Sequence, residues 1–191
     1  VRDVPKEKEI VALPEEDENE IVSGSEDFAD AVKEDAQTEI AIVNSGSIRK
    51  SENYAKGYQF TRGDIQSEFP FGGHHVVIEI NGANILAMLE NSLSRIEFED
   101  GRFLNVSGMQ VTYNSLAPVG KRVLSVKIGD KPLNEQQTYS MAIPDFYLKG
   151  GDEYSMLENA KTTSNLFNKQ RTWHVVAQYF SKHKKIIAPA L

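Results

Sequence analysis

Short apolar runs separated by glycine and polar corners set the framework of this chain. Residues 25–36 carry Phe28, Ala31, Val32 and Ala36 on one helical face; Ser25 stands as N-cap, with Glu26 and Asp27 at the positive end. Residues 39–43 close in Ile40-Ala41-Ile42-Val43, a continuous run that predicts a strand buried on both faces. Residues 44–64, with Gly46, Gly57 and Gly63, read as a loop long enough to be functional or packed on itself. A helical turn over 64–68 ends at Pro70, and Phe71-Gly72-Gly73 forms a tight corner. Residues 75–80 form a strand, Asn81-Gly82 a turn, and residues 84–95 an amphipathic helix striped by Ile85, Leu86, Leu89 and Leu93.

Farther along, 103–106, Met109–Tyr113 and Val123–Ile128 read as strands, with Gly129-Asp130 turning the chain before Pro132-Leu133. Residues 138–143 form another strand. A last helix over 172–182 turns Trp173, Val176, Ala177 and Phe180 inward. The order is neither strict βαβ alternation nor all-β, and there is no internal repeat. It predicts an α+β fold with mixed sheets.

At 191 residues the chain has room for one domain and a tail. The boundary falls near residue 22. Residues 1–20 carry Asp3, Glu7, Glu9, Glu15, Glu16, Asp17, Glu18 and Glu20 against Arg2, Lys6 and Lys8, so they hold most of the net charge of −7. With Pro5 and Pro14, residues 1–22 read as an acidic linker and 23–191 as the domain; binding of a cation or partner by the tail is the alternative. An acidic chain lacks the basic surface that nonspecific nucleic-acid binding needs. With no cysteine, disulfides, thiolate zinc sites and cysteine nucleophiles are excluded. No apolar run approaches the ~18 residues of a membrane span.

Two strand ends carry the candidate chemistry. The first continues as Asn44-Ser45-Gly46-Ser47-Ile48-Arg49, the second as Asp145-Phe146-Tyr147-Leu148-Lys149-Gly150-Gly151-Asp152. Arg49 after a Gly/Ser loop suits a phosphate or carboxylate, or else a surface ion pair. Gly150 and Gly151 let backbone approach a ligand while Asp152 accepts from vicinal hydroxyls, or else the segment is a capped turn. Phe103 and Phe146, each beside a strand–loop junction, could stack on a flat base, or else belong to the core. The histidines at 74, 75, 174 and 183 lack metal-ligand spacing, and no serine sits in a nucleophile elbow. The chain reads as able to hold a substrate but not to attack it.

These segments together resemble the C-terminal domain of the 5′-nucleotidase / UDP-sugar hydrolase family, from about Gly24 to about Pro189. Asn44-Ser45-Gly46-Ser47-Ile48-Arg49 is similar to the family's Asn-Gly-Gly-Gly-Ile-Arg loop, and Phe69-Pro70-Phe71-Gly72 to its Pro-Phe-Gly corner. Ile80-Asn81-Gly82-Ala83-Asn84-Ile85 with Leu89-Glu90 matches its strand–Gly–helix segment, and Phe103-Leu104-Asn105-Val106-Ser107-Gly108 its Phe-Leu-Gln-Val-Ser-Gly strand. The segment from Asp145 to Asp152 resembles its Asn-Phe-Leu-Ala-x-Gly-Gly-Asp loop.

The resemblance implies α/β/β/α layering and a set of roles. Phe103 and Phe146 would clamp the base, Asp152 would accept from the ribose hydroxyls, Arg49 would bind phosphate, and Asn44 would hydrogen-bond the nucleoside. Gly150 and Gly151 would belong to the same substrate-binding loop. Hydrolysis in the family belongs to an N-terminal metallophosphoesterase domain with two divalent ions, zinc or manganese, that this chain does not contain. The chain itself is therefore expected to bind no metal and to be inactive alone. The implied partners are a nucleotide and that N-terminal domain, and the implied location is periplasmic, cell-surface or secreted. Three departures bear on the phosphate side: Glu153 where glycine is common, no arginine over 18–23, and Gly24-Ser25-Glu26 in place of Gly-Asn. A cyclic-nucleotide phosphodiesterase, a UDP-sugar hydrolase and a non-catalytic nucleoside-binding module are the alternatives.

Overall fold

The computed structural model of the protein describes residues 8–10, 25–49, 61–98, 100–163 and 170–183. In chain order its elements are β1 (Lys8–Ile10), α1 (Ser25–Ala36), β2 (Ile40–Asn44), α2 (Arg62–Glu68), β3 (His75–Asn81) and α3 (Gly82–Leu93). There follow β4 (Leu104–Ser107), β5 (Met109–Tyr113), β6 (Val123–Ile128), β7 (Lys131–Pro132), β8 (Thr138–Pro144) and α4 (Thr172–His183). This is the α+β architecture expected from the pattern.

One sheet is mixed, ordered β3-β8-β2-β4. Here β8 runs parallel to β2 and antiparallel to β3, while β4 pairs antiparallel to β2. The other sheet, β1-β5-β6-β7, is antiparallel throughout. Strand β2 is buried along its whole length, and its side chains divide by parity. Ile40 and Ile42 join the core formed by Ile78, Ile85, Met88, Leu104, Val111 and Met141, which lies between the mixed sheet, α3 and the second sheet. Ala41 and Val43 face the other way with Ala142, under α1, α2 and α4. Alanines at the sheet surface let the helices sit close, and Phe28 fills the gap with edge-on contacts to Phe69 (4.7 Å) and Phe180 (5.9 Å).

Three local readings need revision. Helix α2 begins at Arg62, two residues before the expected turn, because Thr61 and Asp64 form a capping box: Asp64 N donates to Thr61 Oγ1 and Thr61 N to Asp64 Oδ2. Asn81-Gly82 is a strand-to-helix corner, with Asn81 Oδ1 capping α3 by accepting from Asn84 N at 2.8 Å. Within the stretch read as an acidic linker, residues 8–10 pair with β5. An edge strand offers unpaired backbone groups to any extended segment, whatever its charge. The remainder of 1–24, and 50–60 of the long loop, lie outside the described residues.

Candidate functional site

Both loops picked out by the sequence leave neighbouring strands of the mixed sheet at the same end. After β2, residues 45–47 make a short 3-10 turn. It is stapled to the approach to β4, since Ser45 N donates to Phe103 O and Gly46 N to Gly101 O, each at 2.8 Å. Gly46 and Gly101 face one another so closely that a Cβ on either would press on the other's backbone. Arg49, exposed, hangs its backbone N–H on Glu68 O (2.8 Å) and lays its guanidinium over the Phe71 ring, 4.8 Å from the centroid.

After β8, residues 145–149 form a second 3-10 turn, and Gly150 leaves it at φ +72°. Asp152 and Glu153 follow at φ +51° and +62°, in the left-handed region that non-glycine residues rarely adopt. Gly151 has no side chain, and the Phe146 ring occupies the space a Cβ would fill. That ring rests against Tyr147 (4.5 Å), which packs on Tyr154 (4.6 Å). Burial pushes both tyrosine hydroxyls to higher pKa, so this support is uncharged.

Between the loops lies a cavity of about 460 Å³. Asn44, Gly46, Phe71, Asp100, Phe146 and Asp152 are among the residues that line it, as are His74, His75, Thr172 and Trp173. Asn44 is buried; its Nδ2 donates to Asp152 Oδ2 at 3.4 Å, while its Oδ1 has no partner within the protein. Asp152 is held above the ordinary carboxylate pKa, first by burial and then by the charge of Asp100, against Arg102 and the Asn44 amide. His75 is buried on β3 with Nε2 3.0 Å from Asp35 Oδ2. Burial lowers its pKa in spite of that carboxylate, so the imidazole is neutral near pH 7. His74 and His75 differ in burial: the first is half-exposed, the second nearly sealed.

The cavity therefore brings together Asn44, Phe146 and Asp152, with Gly151 behind the Phe146 ring, while Gly150 faces Glu158. Arg49 is not among the lining residues; its guanidinium lies over the ring of Phe71, which is one. Phe103 is half-buried and is not among the lining residues; its carbonyl anchors the first loop. Phe71, 58% exposed, is the aromatic residue that sequence reasoning passed over. Its signal was the corner Phe71-Gly72-Gly73, where a large ring stands beside two glycines. Glu153 is not a bare charge beside Asp152, since its Oε2 accepts from Arg102 Nη1 at 3.0 Å. Among the described residues no group of three His, Asp or Glu side chains is placed to hold a metal ion, and no helix is long and apolar enough to cross a membrane.

A model of the family described as "5′-nucleotidase, C-terminal domain" matches residues 24–159. The trifunctional nucleotide phosphoesterase protein YfkN of Bacillus subtilis is 37% identical over 139 residues, which is 70% of this chain and 9% of that protein. Human 5′-nucleotidase is 26% identical over 160 residues, 80% of this chain and 27% of the human protein. Among solved structures, the 5′-nucleotidase precursor of Thermus thermophilus superposes with a TM-score of 0.75 at 30% identity, over 87% of this chain and 33% of that one. The chain thus spans no more than a third of the length of any of these three. From the matched segment and the shared fold, this chain belongs to the 5′-nucleotidase C-terminal domain family.

Proposed function

We propose that this chain is the nucleotide-capturing domain of a 5′-nucleotidase-type phosphohydrolase. The observation that carries the reading is the presence of two exposed rings, Phe71 and Phe146, on the wall of one cavity that Asp152 also lines, with the buried, unpartnered Oδ1 of Asn44 behind it. A purine or pyrimidine ring stacks between the two phenylalanines, each face contributing ~1–3 kcal/mol. The Asp152 carboxylate accepts from the ribose hydroxyls, and Asn44 Oδ1 accepts from a donor on the nucleoside. Arg49, braced on Phe71, pairs with the phosphate at the open end.

In this reading none of the described residues activates water or attacks phosphorus. Phosphoester hydrolysis belongs to a metallophosphoesterase domain outside this sequence, with two divalent metal ions, and this chain by itself is inactive. Its role is to bind the nucleotide and present the phosphate to that domain. A periplasmic, cell-surface or secreted protein is the matching location; the match to a snake-venom 5′-nucleotidase from Naja atra, 30% identical over 161 residues, supports it. Titration of the chain with adenosine, AMP, uridine and UDP-glucose tests the proposal. AMP tightest, with adenosine next, supports a 5′-nucleotidase. UDP-glucose tightest would move the substrate to a sugar nucleotide, and no binding at all would refute capture by this domain.

A further inference from the structure

Asp152 stands on backbone that does not hold itself. Gly150, Asp152 and Glu153 all take positive φ within four residues, and only the glycine does so without strain. A conformation of this kind persists only where the surroundings over-determine it. Here the surroundings converge on one guanidinium, that of Arg102, which is 6% exposed although it touches none of the cavity.

From one side, Arg102 Nη1 donates to Glu153 Oε2 at 3.0 Å, tying the residue after Asp152. From the other, the same nitrogen donates to Asn91 Oδ1 at 3.4 Å, and Asn91 Nδ2 donates to the Asp152 carbonyl at 3.1 Å. Ser94 Oγ lies 3.2 Å from Nη1 as well, so these three acceptors share the two hydrogens of that nitrogen. The backbone N–H and Nε of Arg102 both donate to Asp100 Oδ1, at 3.1 and 3.3 Å, and Asp100 lies in the cavity wall. Tyr154 closes the set by donating its hydroxyl to Arg102 O at 2.6 Å. A planar guanidinium with several fixed donors can hold such a set of acceptors at once, and a lysine ammonium cannot.

We propose that Arg102 is the positioning residue for Asp152, fixing the carboxylate toward the ribose diol through Asn91 and Glu153 and so setting selectivity for ribonucleosides over sugars that lack the diol. The assignment rests on the reading of the cavity as a nucleoside site. In this arrangement Glu153 is the latch of the loop. Its side chain is 76% exposed, so its pairing with Arg102 is open to solvent and can be removed without touching the core. Arg102 touches no ligand itself; it acts by keeping a strained loop in one conformation.

The test is the ratio of dissociation constants for 2′,3′-dideoxyadenosine and adenosine, measured calorimetrically on this chain and on Arg102→Lys and Glu153→Gln. Hydrogen bonds to a charged acceptor give the wild-type chain a ratio of about tenfold or more. Both variants are expected to bring it below about threefold, with binding of the dideoxy compound unchanged because the stacking rings are untouched. A merely structural Arg102 would weaken both ligands alike and keep the ratio, and that result overturns the inference even where Arg102→Lys folds poorly, since Glu153→Gln changes only an exposed group. A wild-type ratio near one overturns the diol role of Asp152, and this inference with it. A normal wild-type ratio that both variants retain overturns this inference alone.

Discussion

Replacing Gly151 by alanine tests the Phe146 ring without removing it. A Cβ at this position would overlap Cδ2 and Cε2 of the ring and stand 2.7 Å from Cζ, where carbon–carbon contact is comfortable only near about 3.5 Å. The backbone is not the obstacle, because Gly151 is not among the residues of positive φ. The obstruction is a ring 38% exposed, free to swing toward solvent. The folded state therefore yields by displacing the ring, and the melting temperature should stay within about 3 °C of wild type, since about 1 kcal/mol moves a chain of this size by only 2–4 °C. The nucleoside loses one of its two stacking faces, ~1–3 kcal/mol, which raises the dissociation constant for adenosine by roughly 5- to 150-fold. Calorimetric titration beside a thermal melt reads both quantities. Adenosine binding within twofold of wild type, at unchanged stability, would show that the ring takes no part in binding and would refute the stacking argument.

Further outcomes follow from the same geometry. Phe71→Ala should weaken adenosine binding by ~1–3 kcal/mol with little change in stability, whereas Phe103→Ala should spare binding; the reverse order, read by titration of both variants, would return the clamp to Phe103. Arg49→Ala should weaken AMP more than adenosine, and equal losses for the two ligands would remove its phosphate role. Stability should fall with acid in the window just below His75's ordinary value of 6.5. Its folded pKa lies lower, so the unfolded chain takes up the proton first and stability rises with pH through that window. Asp35, His74 and Asp145 are the charged groups that act on this imidazole, and urea midpoints at pH 5.5 and 7.5 should differ in wild type but not in His75→Gln. Adenosine affinity should also decline on acidification at a pH above the ordinary carboxylate value, because only the ionised Asp152 offers two charged acceptor oxygens to a diol and its pKa is raised; burial, Asp100 and Glu153 push it up while Arg102 and the Asn44 amide pull it down. A flat affinity profile across that range would remove Asp152 from the diol.

Much of the scaffold was legible because its strands and helices are locally patterned. The run from Ile40 to Val43 announced burial on both faces, and α1 fell on residues Ser25–Ala36 as its periodicity indicated. What escaped was made by pairing at a distance. Strand β1 is held by backbone bonds to β5, more than 100 residues away, and its own composition says linker. The Arg102 set joins residues 91, 94, 100 and 153, and His75 meets Asp35 across 40 residues; no local window contains either. At the site, the two strand-end loops could be read because glycine, charge and a preceding apolar run coincide. The place of Phe71 could not, since Phe71-Gly72-Gly73 reads as a tight corner and the sequence pointed to Phe103 beside its strand. In the folded chain Phe103 is half-buried with its carbonyl accepting from Ser45 N and is not among the cavity's lining residues, while Phe71 lines the cavity under Arg49.

The central claim is capture of a nucleoside by this chain without metal, and amide and aromatic chemical-shift perturbation on titration with adenosine tests it most directly. The account predicts saturable shifts centred on Phe71, Phe146 and Asp152, with Asn44 following. Shifts centred elsewhere, or none at millimolar adenosine, would contradict it.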